Sequence, residues 1–317
     1  MTVPDQNRSP AVSQAEKQGT HETAAASAAP GDDPIALVGV VGAGTMGAGI
    51  AEVCAVAGLD VQIAVSSPES ADRGRARIAA SLDRAVKREK LTAAARAAAL
   101  DRVRFTTDLA DLADRDLVVE AVREDEAAKL DIFAALDKIL LRPDAILASN
   151  TSSIPIMRLA RGTGRAEHVI GLHFFNPVPA LGLVELIGSL ATDPATLDRA
   201  EAFVAGRLGK SPVRCADRSG FIVNALLIPF LLAAIRMVES GHGTAERIDE
   251  AMVLGCAHPL GPLKLADLIG LDVVGSIADA LYAEFKEPHY ARPPLLSRKI
   301  EAGQLGRKAA QGFYAYS

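Results

Sequence analysis

The chain has no tryptophan, only three cysteines in 317 residues, and no excess of positive charge. Its 34 Lys and Arg residues against 39 Asp and Glu residues give a net charge of −5, so the basic surface that nucleic-acid binding requires is missing. Cys54, Cys215 and Cys256 are odd in number and far apart, which fits neither a disulfide framework nor a metal site. We therefore predict reduced core thiols in a cytoplasmic protein.

Long hydrophobic runs are also missing. The most apolar stretch, residues 221–235, is shorter than the roughly 20 residues that cross a bilayer, and it contains Asn224 and Pro229. We predict no membrane partner, and we interpret this stretch as a buried helix at a domain or subunit contact. Residues 1–33 have no aromatic residue and no periodic apolar face, so we predict a disordered tail there.

From residue 35 onward, short apolar runs alternate with helical segments. The runs predict strands buried on both faces, at residues 35–41, 61–65, 103–106, 116–120, 145–149, 169–174 and 183–187. Helices are predicted at residues 46–57, 70–88, 92–100 and 124–140. This alternation is typical of a Rossmann-type, doubly wound α/β domain.

The pattern changes beyond residue 217. Helical segments follow one another without a strand of comparable strength, at residues 221–239, 244–254, 262–284 and 294–302. We therefore predict an α/β fold with an N-terminal Rossmann domain over residues 34–217. An all-helical C-terminal domain is predicted over residues 218–317.

A glycine-rich turn joins the first predicted strand to the first helix. Its GxGxxG spacing gives a tight turn, a close backbone approach to a pyrophosphate, and close packing of the helix on the strand. The strand before it and the helix after it supply the context in which this motif is meaningful. The residues predicted to bind a dinucleotide here are Gly42, Gly44, Thr45, Met46 and Gly47.

The second strand of such a domain usually ends in an acid that binds the adenosine ribose. Here it ends at Val65, followed by two serines, and the nearest acid, Glu69, lies beyond a proline. Arg73 and Arg75 follow on the next predicted helix. An uncharged strand end with arginines beyond it is compatible with a 2′-phosphate, so the sequence leaves NAD and NADP both open.

His173 ends a predicted strand in the run GLHFFNP. Strand carboxyl ends face the ligand crevice of an open α/β sheet, and an imidazole titrates near neutral pH. It is therefore suited to take the proton of an alcohol while a hydride leaves. Glu185 ends a later predicted strand, and a carboxylate beside an imidazole fixes its tautomer and stabilises its charged form.

Two further polar residues are candidates for holding a substrate. Ser152 follows the strand at residues 145–149 and has a hydroxyl to donate, although an N-cap role is open to it as well. Asn224 lies in an otherwise apolar helix start, where it would bind substrate or make a packing hydrogen bond.

The motifs together resemble those of the 3-hydroxyacyl-CoA dehydrogenases, most of all the short-chain bacterial 3-hydroxybutyryl-CoA dehydrogenases. They occur in family order over about residues 35–317: VVGAGTMG at 40–47, ASNTSS at 148–153, GLHFFNPVP at 171–179, SGFIVN at 219–224 and GFY at 312–314. The resemblance implies reversible oxidation of (3S)-3-hydroxyacyl-CoA to 3-oxoacyl-CoA. It also implies a homodimer formed mainly by the helical domain.

The resemblance also implies roles for individual residues. His173 becomes the general acid/base and Glu185 its partner, while Ser152 and Asn224 bind the reacting part of the substrate. Four residues match positions that contact the nicotinamide side of the cofactor or line the cleft: Glu124, Lys129, Asn150 and Asn176. Val65 departs from the Asp or Glu that is usual in the family, so the family's NAD preference does not transfer directly.

Two other functions are compatible with parts of the sequence. A β-hydroxyacid dehydrogenase acting on free acids also joins a Rossmann domain to a helical one, but it relies on a lysine in the second domain. A dinucleotide-binding protein with little catalysis is the other alternative, which the lost acid at Val65 favours. The intact pair of His173 and Glu185 disfavours both.

Overall fold

The computed structural model of the protein describes residues 35–316. The tail predicted over residues 1–33 lies outside the described residues. Within residues 35–316, no helix is both long enough and apolar enough to cross a membrane.

Eight strands form one sheet in the order β3-β2-β1-β4-β5-β6-β7-β8. Strands β1 to β6 are parallel, whereas β7 is antiparallel to β6 and β8 is parallel to β7. The bounds are β1 Leu37–Val41, β2 Asp60–Ala64, β3 Val103–Thr106, β4 Leu117–Glu120, β5 Ile146–Ser149, β6 Val169–Phe174, β7 Leu183–Gly188 and β8 Ser211–Ala216. The predicted Rossmann-type sheet is confirmed.

Eleven α-helices are present in the described residues. Six accompany the sheet: α1 Thr45–Val56, α2 Pro68–Lys87, α3 Ala93–Asp101, α4 Glu126–Ile139, α5 Ile156–Ala160 and α6 Pro194–Ala202. Five follow it: α7 Val223–Glu239, α8 Ala245–Cys256, α9 Pro262–Ile269, α10 Leu271–Phe285 and α11 Pro294–Glu301. The predicted succession of an α/β part and a helical part is confirmed.

The short helix α5 was not predicted, and three further elements differ from the sequence prediction. Strand β8 was not predicted, because it is an edge strand with a proline and largely exposed side chains and so lacks a buried apolar pattern. Helix α6 was likewise not predicted. The single helix expected over residues 262–284 is two helices, since Gly270 has φ +105° and ψ 125°, which no helical residue adopts.

Apolar side chains cover both faces of the sheet. Val118 and Val119 are neighbours in β4 but belong to different core clusters, because successive side chains of a strand point to opposite faces. One cluster packs against α1 and α2, and the other against α4 and α5. A third cluster fills the interior of the helical part, around Leu231, Leu263 and Val274. The sheet is therefore a rigid base for the loops at its carboxyl edge.

The cysteine prediction was right for one thiol of three. Cys54 is buried in the core, and burial raises the pKa of its thiol to about 12, so it stays protonated and inert. Cys215 is half-buried and Cys256 is exposed.

The carboxyl-terminal segment is held by a buried aspartate. Asp267 of α9, only 1% exposed, accepts hydrogen bonds from the backbone N–H groups of Phe313 and Tyr314 and from the Tyr316 hydroxyl, each at 2.9 Å. A Cβ at Gly312 would overlap the Asp267 carboxylate, so only glycine allows the backbone to come this close. The last turn of the chain is thus part of the helical core.

We expect Asp267→Asn to lower the free energy of unfolding by about 1.5–3 kcal/mol or more, because hydrogen bonds to a charged acceptor are lost inside the protein. Urea unfolding followed by circular dichroism measures this. Asp279→Asn is the matched control, since Asp279 pairs with Arg292 at the surface, where an ion pair contributes about 1 kcal/mol at most. Equal losses in both variants would contradict the anchoring role of Asp267.

Candidate active site

The glycine turn lies at the carboxyl end of β1, where the strand order changes direction between β1 and β4. Gly42 has φ +98°, a conformation that side chains disfavour, and its N–H donates to the Ala64 carbonyl at 2.8 Å. A Cβ at Gly47 would overlap the Gly42 carbonyl oxygen, so glycine lets α1 begin directly against the turn. The N-terminus of α1 therefore opens into the crevice above the sheet.

Two cavities flank this turn, one on either side of Gly44 and Val122. The β2-side cavity has a volume of about 450 Å³ and is lined by Val41, Gly42, Ala43, Gly44, Ala64, Val65, Ser66, Ser70, Arg73, Arg77, Thr107, Leu109, Val122 and Ile132. The β5-side cavity has a volume of about 410 Å³ and is lined by Gly44, Thr45, Met46, Ala121, Val122, Arg123, Glu124, Asn150, Ser152, Ser153, Asp272, Val273, Ser276 and Ile277.

These residues fit a dinucleotide. A Cβ built on Gly44 meets nothing within 4 Å, so the space above the turn is open between the two cavities. An extended ligand can therefore place its pyrophosphate on the turn and one half in each cavity. Four of the five glycine-turn residues named from the sequence line a cavity, and the fifth, Gly47, packs beneath the turn.

A buried ion cluster lies below the β5-side cavity. The Lys129 ammonium, 1% exposed, contacts both carboxylate oxygens of Glu120 at 2.7 and 2.8 Å and Glu124 at 3.3 Å. Glu120 also accepts from the Ser149 hydroxyl at 2.7 Å. Glu120 was not identified from the sequence. A signal for it exists, because it is a glutamate at the carboxyl end of the buried strand sequence DLVVE.

Glu124 connects this cluster to the loop that carries Ser152. Its carboxylate accepts from the Thr151 hydroxyl, from the Ser152 N–H at 2.9 Å and from the Ser153 hydroxyl at 3.1 Å. Burial alone raises the pKa of Glu124, but Lys129 and the hydrogen bonds from Thr151 and Ser152 outweigh it and hold that pKa below its usual value. Glu124 is therefore an anion at neutral pH, and the loop is fixed on it.

His173 and Glu185 form a buried pair. They face each other across the antiparallel strands β6 and β7, and His173 Nδ1 lies 2.7 Å from Glu185 Oε2. The expectation that Glu185 ends its strand was wrong, because Glu185 lies inside β7 and reaches the histidine through cross-strand register. It is 0% exposed, which excludes a solvated surface acid.

The hydrogen bonds around this pair fix the state of the imidazole. A carboxylate can only accept, so the Nδ1 of His173 carries a proton, and in the neutral tautomer that this selects the lone pair is on Nε2. That Nε2 lies 3.3 Å from the Ser152 hydroxyl oxygen. The ring is held between Phe175 and Phe221, at centroid distances of 4.5 and 5.4 Å. A base and a hydroxyl thus converge on one point, the arrangement needed to bind and deprotonate an alcohol.

The start of α7 is attached to the same carboxylate. Glu185 Oε1 accepts from the backbone N–H groups of Ile222 at 3.0 Å and Val223 at 2.9 Å. The next residue, Asn224, is buried, and its side chain has no hydrogen-bond partner within residues 35–316. The packing hydrogen bond that was the alternative for Asn224 is thus not formed by the described residues.

The two remaining asparagines lie in different surroundings. Asn150 lines the β5-side cavity, and its Oδ1 accepts from the Phe174 N–H at 2.9 Å, which ties the end of β5 to the end of β6. Asn176 is exposed, precedes a cis peptide bond to Pro177, and is not among the residues that line either cavity.

Helix α10 supplies a wall of the β5-side cavity that was not identified from the sequence. Asp272, Val273, Ser276 and Ile277 line the cavity opposite Glu124 and Ser152. The break at Gly270 sets the direction of this helix. These residues belong to no recognisable motif. They fell within the single helix predicted over residues 262–284, so nothing in the sequence distinguished them.

Comparisons with known proteins agree with this geometry. The family model described as the 3-hydroxyacyl-CoA dehydrogenase NAD-binding domain matches residues 37–218, and that of the C-terminal domain matches residues 220–316. A 3-hydroxybutyryl-CoA dehydrogenase of Mycobacterium tuberculosis is 58% identical over 284 residues, 90% of this chain and 99% of that protein. One from Bradyrhizobium diazoefficiens is 48% identical over 89% of this chain and 96% of that protein.

Solved structures give the same result. The crystal structure of M. tuberculosis FadB2 superposes with a TM-score of 0.89 at 58% identity, covering 90% of this chain and all of that one. The (S)-3-hydroxybutyryl-CoA dehydrogenase PaaH1 of Ralstonia eutropha gives a TM-score of 0.85 at 46% identity over 89% and 99%. The matches span both parts of the fold and the whole site, so the chain belongs to the 3-hydroxyacyl-CoA dehydrogenase family.

Proposed function

We propose that the chain interconverts (3S)-3-hydroxyacyl-CoA and 3-oxoacyl-CoA, with 3-hydroxybutyryl-CoA as its substrate. The observation that carries this proposal is the buried pair of His173 and Glu185, with Ser152 on the free side of the imidazole and a dinucleotide turn beside it. The names of the similar bacterial enzymes support the four-carbon substrate.

Each residue of the site has a role in this reaction. His173 Nε2 takes the proton of the 3-hydroxyl group, and Glu185 stabilises the imidazolium that results. Ser152 and Asn224 hold the reacting oxygen, Ser152 by a hydrogen bond and Asn224 by its otherwise unused amide. A bound nicotinamide would supply the acceptor for the hydride from C3 of the substrate, and Glu124 and Asn150, which line the cavity beside Ser152, would hold it there.

The cofactor ligands follow from the two cavities. The domain binds a nicotinamide dinucleotide. We propose that Gly42, Gly44, Thr45 and Met46 hold the pyrophosphate, with Gly47 supporting the turn. Glu124 and Asn150 line the nicotinamide end, next to Ser152.

Lys129 and Asn176 do not line either cavity. Lys129 contributes from beneath by fixing Glu124 in place. Asn176 is proposed to complete the cleft in the presence of ligand. NAD and NADP share every one of these contacts, so they differ only at the adenosine ribose.

The chain is proposed to divide at residues 217 and 218 into the Rossmann domain and the substrate and dimerisation domain. The helical domain carries large exposed apolar side chains, among them Leu226 on α7 (73% exposed) and Leu254 on α8 (76% exposed). Helix α9 packs against both α7 and α8. A partner subunit would cover these side chains, and we therefore propose that the helical domain forms a homodimer. We propose the cytoplasm as its location.

His173→Gln is expected to lower the turnover of acetoacetyl-CoA by roughly 10²–10⁴-fold, because glutamine cannot exchange the proton. Oxidation of the reduced cofactor, followed by absorbance, measures the rate, and a cofactor titration is expected to give an unchanged Kd. His168→Gln is the matched control, since that histidine bonds Thr196 and is absent from both cavities. Near-normal turnover of His173→Gln would refute the assignment.

Neighbouring serines offer a second comparison. Ser152→Ala is expected to lower kcat about tenfold, the effect of one lost net hydrogen bond in the transition state. Ser153→Ala removes a hydroxyl that bonds Glu124 instead, so its kcat is expected to change much less. Steady-state kinetics with acetoacetyl-CoA measure both. Equal losses would mean that the loop as a whole, and not the Ser152 hydroxyl, supports the reaction.

Leu226→Glu and Leu254→Glu are expected to shift the protein from dimer to monomer, because a buried interface would then hold an unpaired charge. Sedimentation equilibrium measures the molecular mass. Leu141→Glu is the control, since Leu141 is 77% exposed but belongs to the Rossmann domain. A wild-type monomer, or dimers in both helical variants, would overturn the proposed interface.

A further inference from the structure

The β2-side cavity has a charge that the ordinary ribose site of an NAD enzyme does not have. Its polar lining includes the guanidinium groups of Arg73 and Arg77 and the hydroxyls of Ser66 and Ser70, and no carboxylate lines it. Val65 occupies the place where an acid would accept hydrogen bonds from the ribose hydroxyls. The cavity is therefore built for an anion at the end of β2.

The polar groups in this cavity are available for a ligand. Arg73 donates to the Ser70 hydroxyl at 2.8 Å, and Arg77 donates to the Ala43 carbonyl at 2.7 Å. Neither guanidinium forms a salt bridge with a carboxylate of the described residues, and the Ser66 hydroxyl has no hydrogen-bond partner among them. The Ser67 hydroxyl, in contrast, is occupied as the N-cap of α2.

The acidic residues near the cavity do not line it. Asp72 pairs with Arg75, which lies over the Phe105 ring, and Asp111 accepts from the Thr106 hydroxyl. Asp108 caps the turn at Ala110. Glu69, exposed in the first turn of α2, interacts electrostatically with Arg73 from outside the cavity but does not line it. The positive charge of Arg73 and Arg77 therefore acts on the cavity without a neutralising group inside it.

Close packing places these arginines at the dinucleotide turn. Gly74, between Arg73 and Arg77 in α2, is buried, and a Cβ there would lie only 2.7 Å from the Ala43 Cβ. Because α2 lies directly against the turn, its arginines reach the same cavity as the turn residues Gly42 and Ala43.

We propose that Arg73, Ser66 and Ser70 bind the 2′-phosphate of NADP, and that the chain prefers NADP(H) to NAD(H). Guanidinium and hydroxyl groups are the donors that bind a phosphate monoester, and charge-assisted hydrogen bonds to phosphate are about twice as strong as neutral ones. The inference rests on the proposed function, because it needs the dinucleotide to lie across the glycine turn.

The adenosine 3′-phosphate of coenzyme A presents the same chemistry. The dinucleotide is favoured because the glycine turn itself forms one wall of the cavity. Adenosine 2′,5′-bisphosphate and adenosine 3′,5′-bisphosphate separate the two sources when each competes with bound NADPH. Stronger competition by the 2′ isomer supports the proposal, and stronger competition by the 3′ isomer overturns it.

The main test measures the Kd of NADPH and NADH by nicotinamide fluorescence, which needs no turnover. Wild-type protein is expected to bind NADPH more tightly. Arg73→Ala is expected to raise the Kd of NADPH about 10–100-fold and to leave that of NADH nearly unchanged. Arg75→Ala is the matched control with no expected change, since Arg75 is absent from the cavity lining.

A reverse substitution tests the same site by gain of function. Val65→Asp is expected to weaken NADPH binding by like-charge repulsion and to strengthen NADH binding through the ribose hydroxyls. Val65→Asn has the same shape without the charge and is expected to show much less of the repulsion. Tighter NADH binding by wild type, with Arg73→Ala unchanged, would overturn the proposal while leaving the function intact. Binding of neither cofactor would count against the proposed function itself.

Discussion

The carboxylate of Glu185 is the group on which the site and the joining of the two parts of the fold depend. It is fully buried and accepts three hydrogen bonds, one from His173 and two from the first turn of α7. A buried charge is stable only when such partners compensate its loss of water. The backbone N–H groups at a helix start have no partner within the helix. Glu185 therefore supplies the acceptor for the first N–H groups of α7, and they compensate its buried charge. The placement of the His173 ring and the attachment of α7 to the sheet therefore depend on the same carboxylate.

The opposite side of the site is built on the same principle. Glu120, Lys129 and Glu124 form a cluster in which one cation lies between two carboxylates, and Glu124 fixes the backbone of Ser152. The imidazole of His173 is thus held by the buried carboxylate of Glu185, and the backbone of Ser152 by the partly exposed carboxylate of Glu124. Such support holds the imidazole and the hydroxyl at a fixed separation, which is the preorganisation that the proposed reaction requires.

Much of this arrangement could be predicted from the sequence, because its signals are local. The glycine turn and the loop with Ser152 each follow a buried apolar run, and His173 lies near the end of another. The contact between His173 and Glu185 is different, since it depends on an antiparallel register that no local pattern specifies. Edge strand β8 and the break at Gly270 were missed for a related reason: an exposed strand has no apolar pattern, and one glycine in a long helical pattern does not reveal its dihedral angles.

The attachment of the carboxyl-terminal segment to Asp267 makes the helical part dependent on a few residues near its end. Tyr316 donates to Asp267 in the core of the helical part. Asp267 lies four residues before Leu271, the first residue of the helix α10 that lines the β5-side cavity. A chain cut before Gly312 would leave the buried Asp267 carboxylate without its hydrogen bonds from Phe313, Tyr314 and Tyr316. The packing that holds α10 in position would therefore be disturbed.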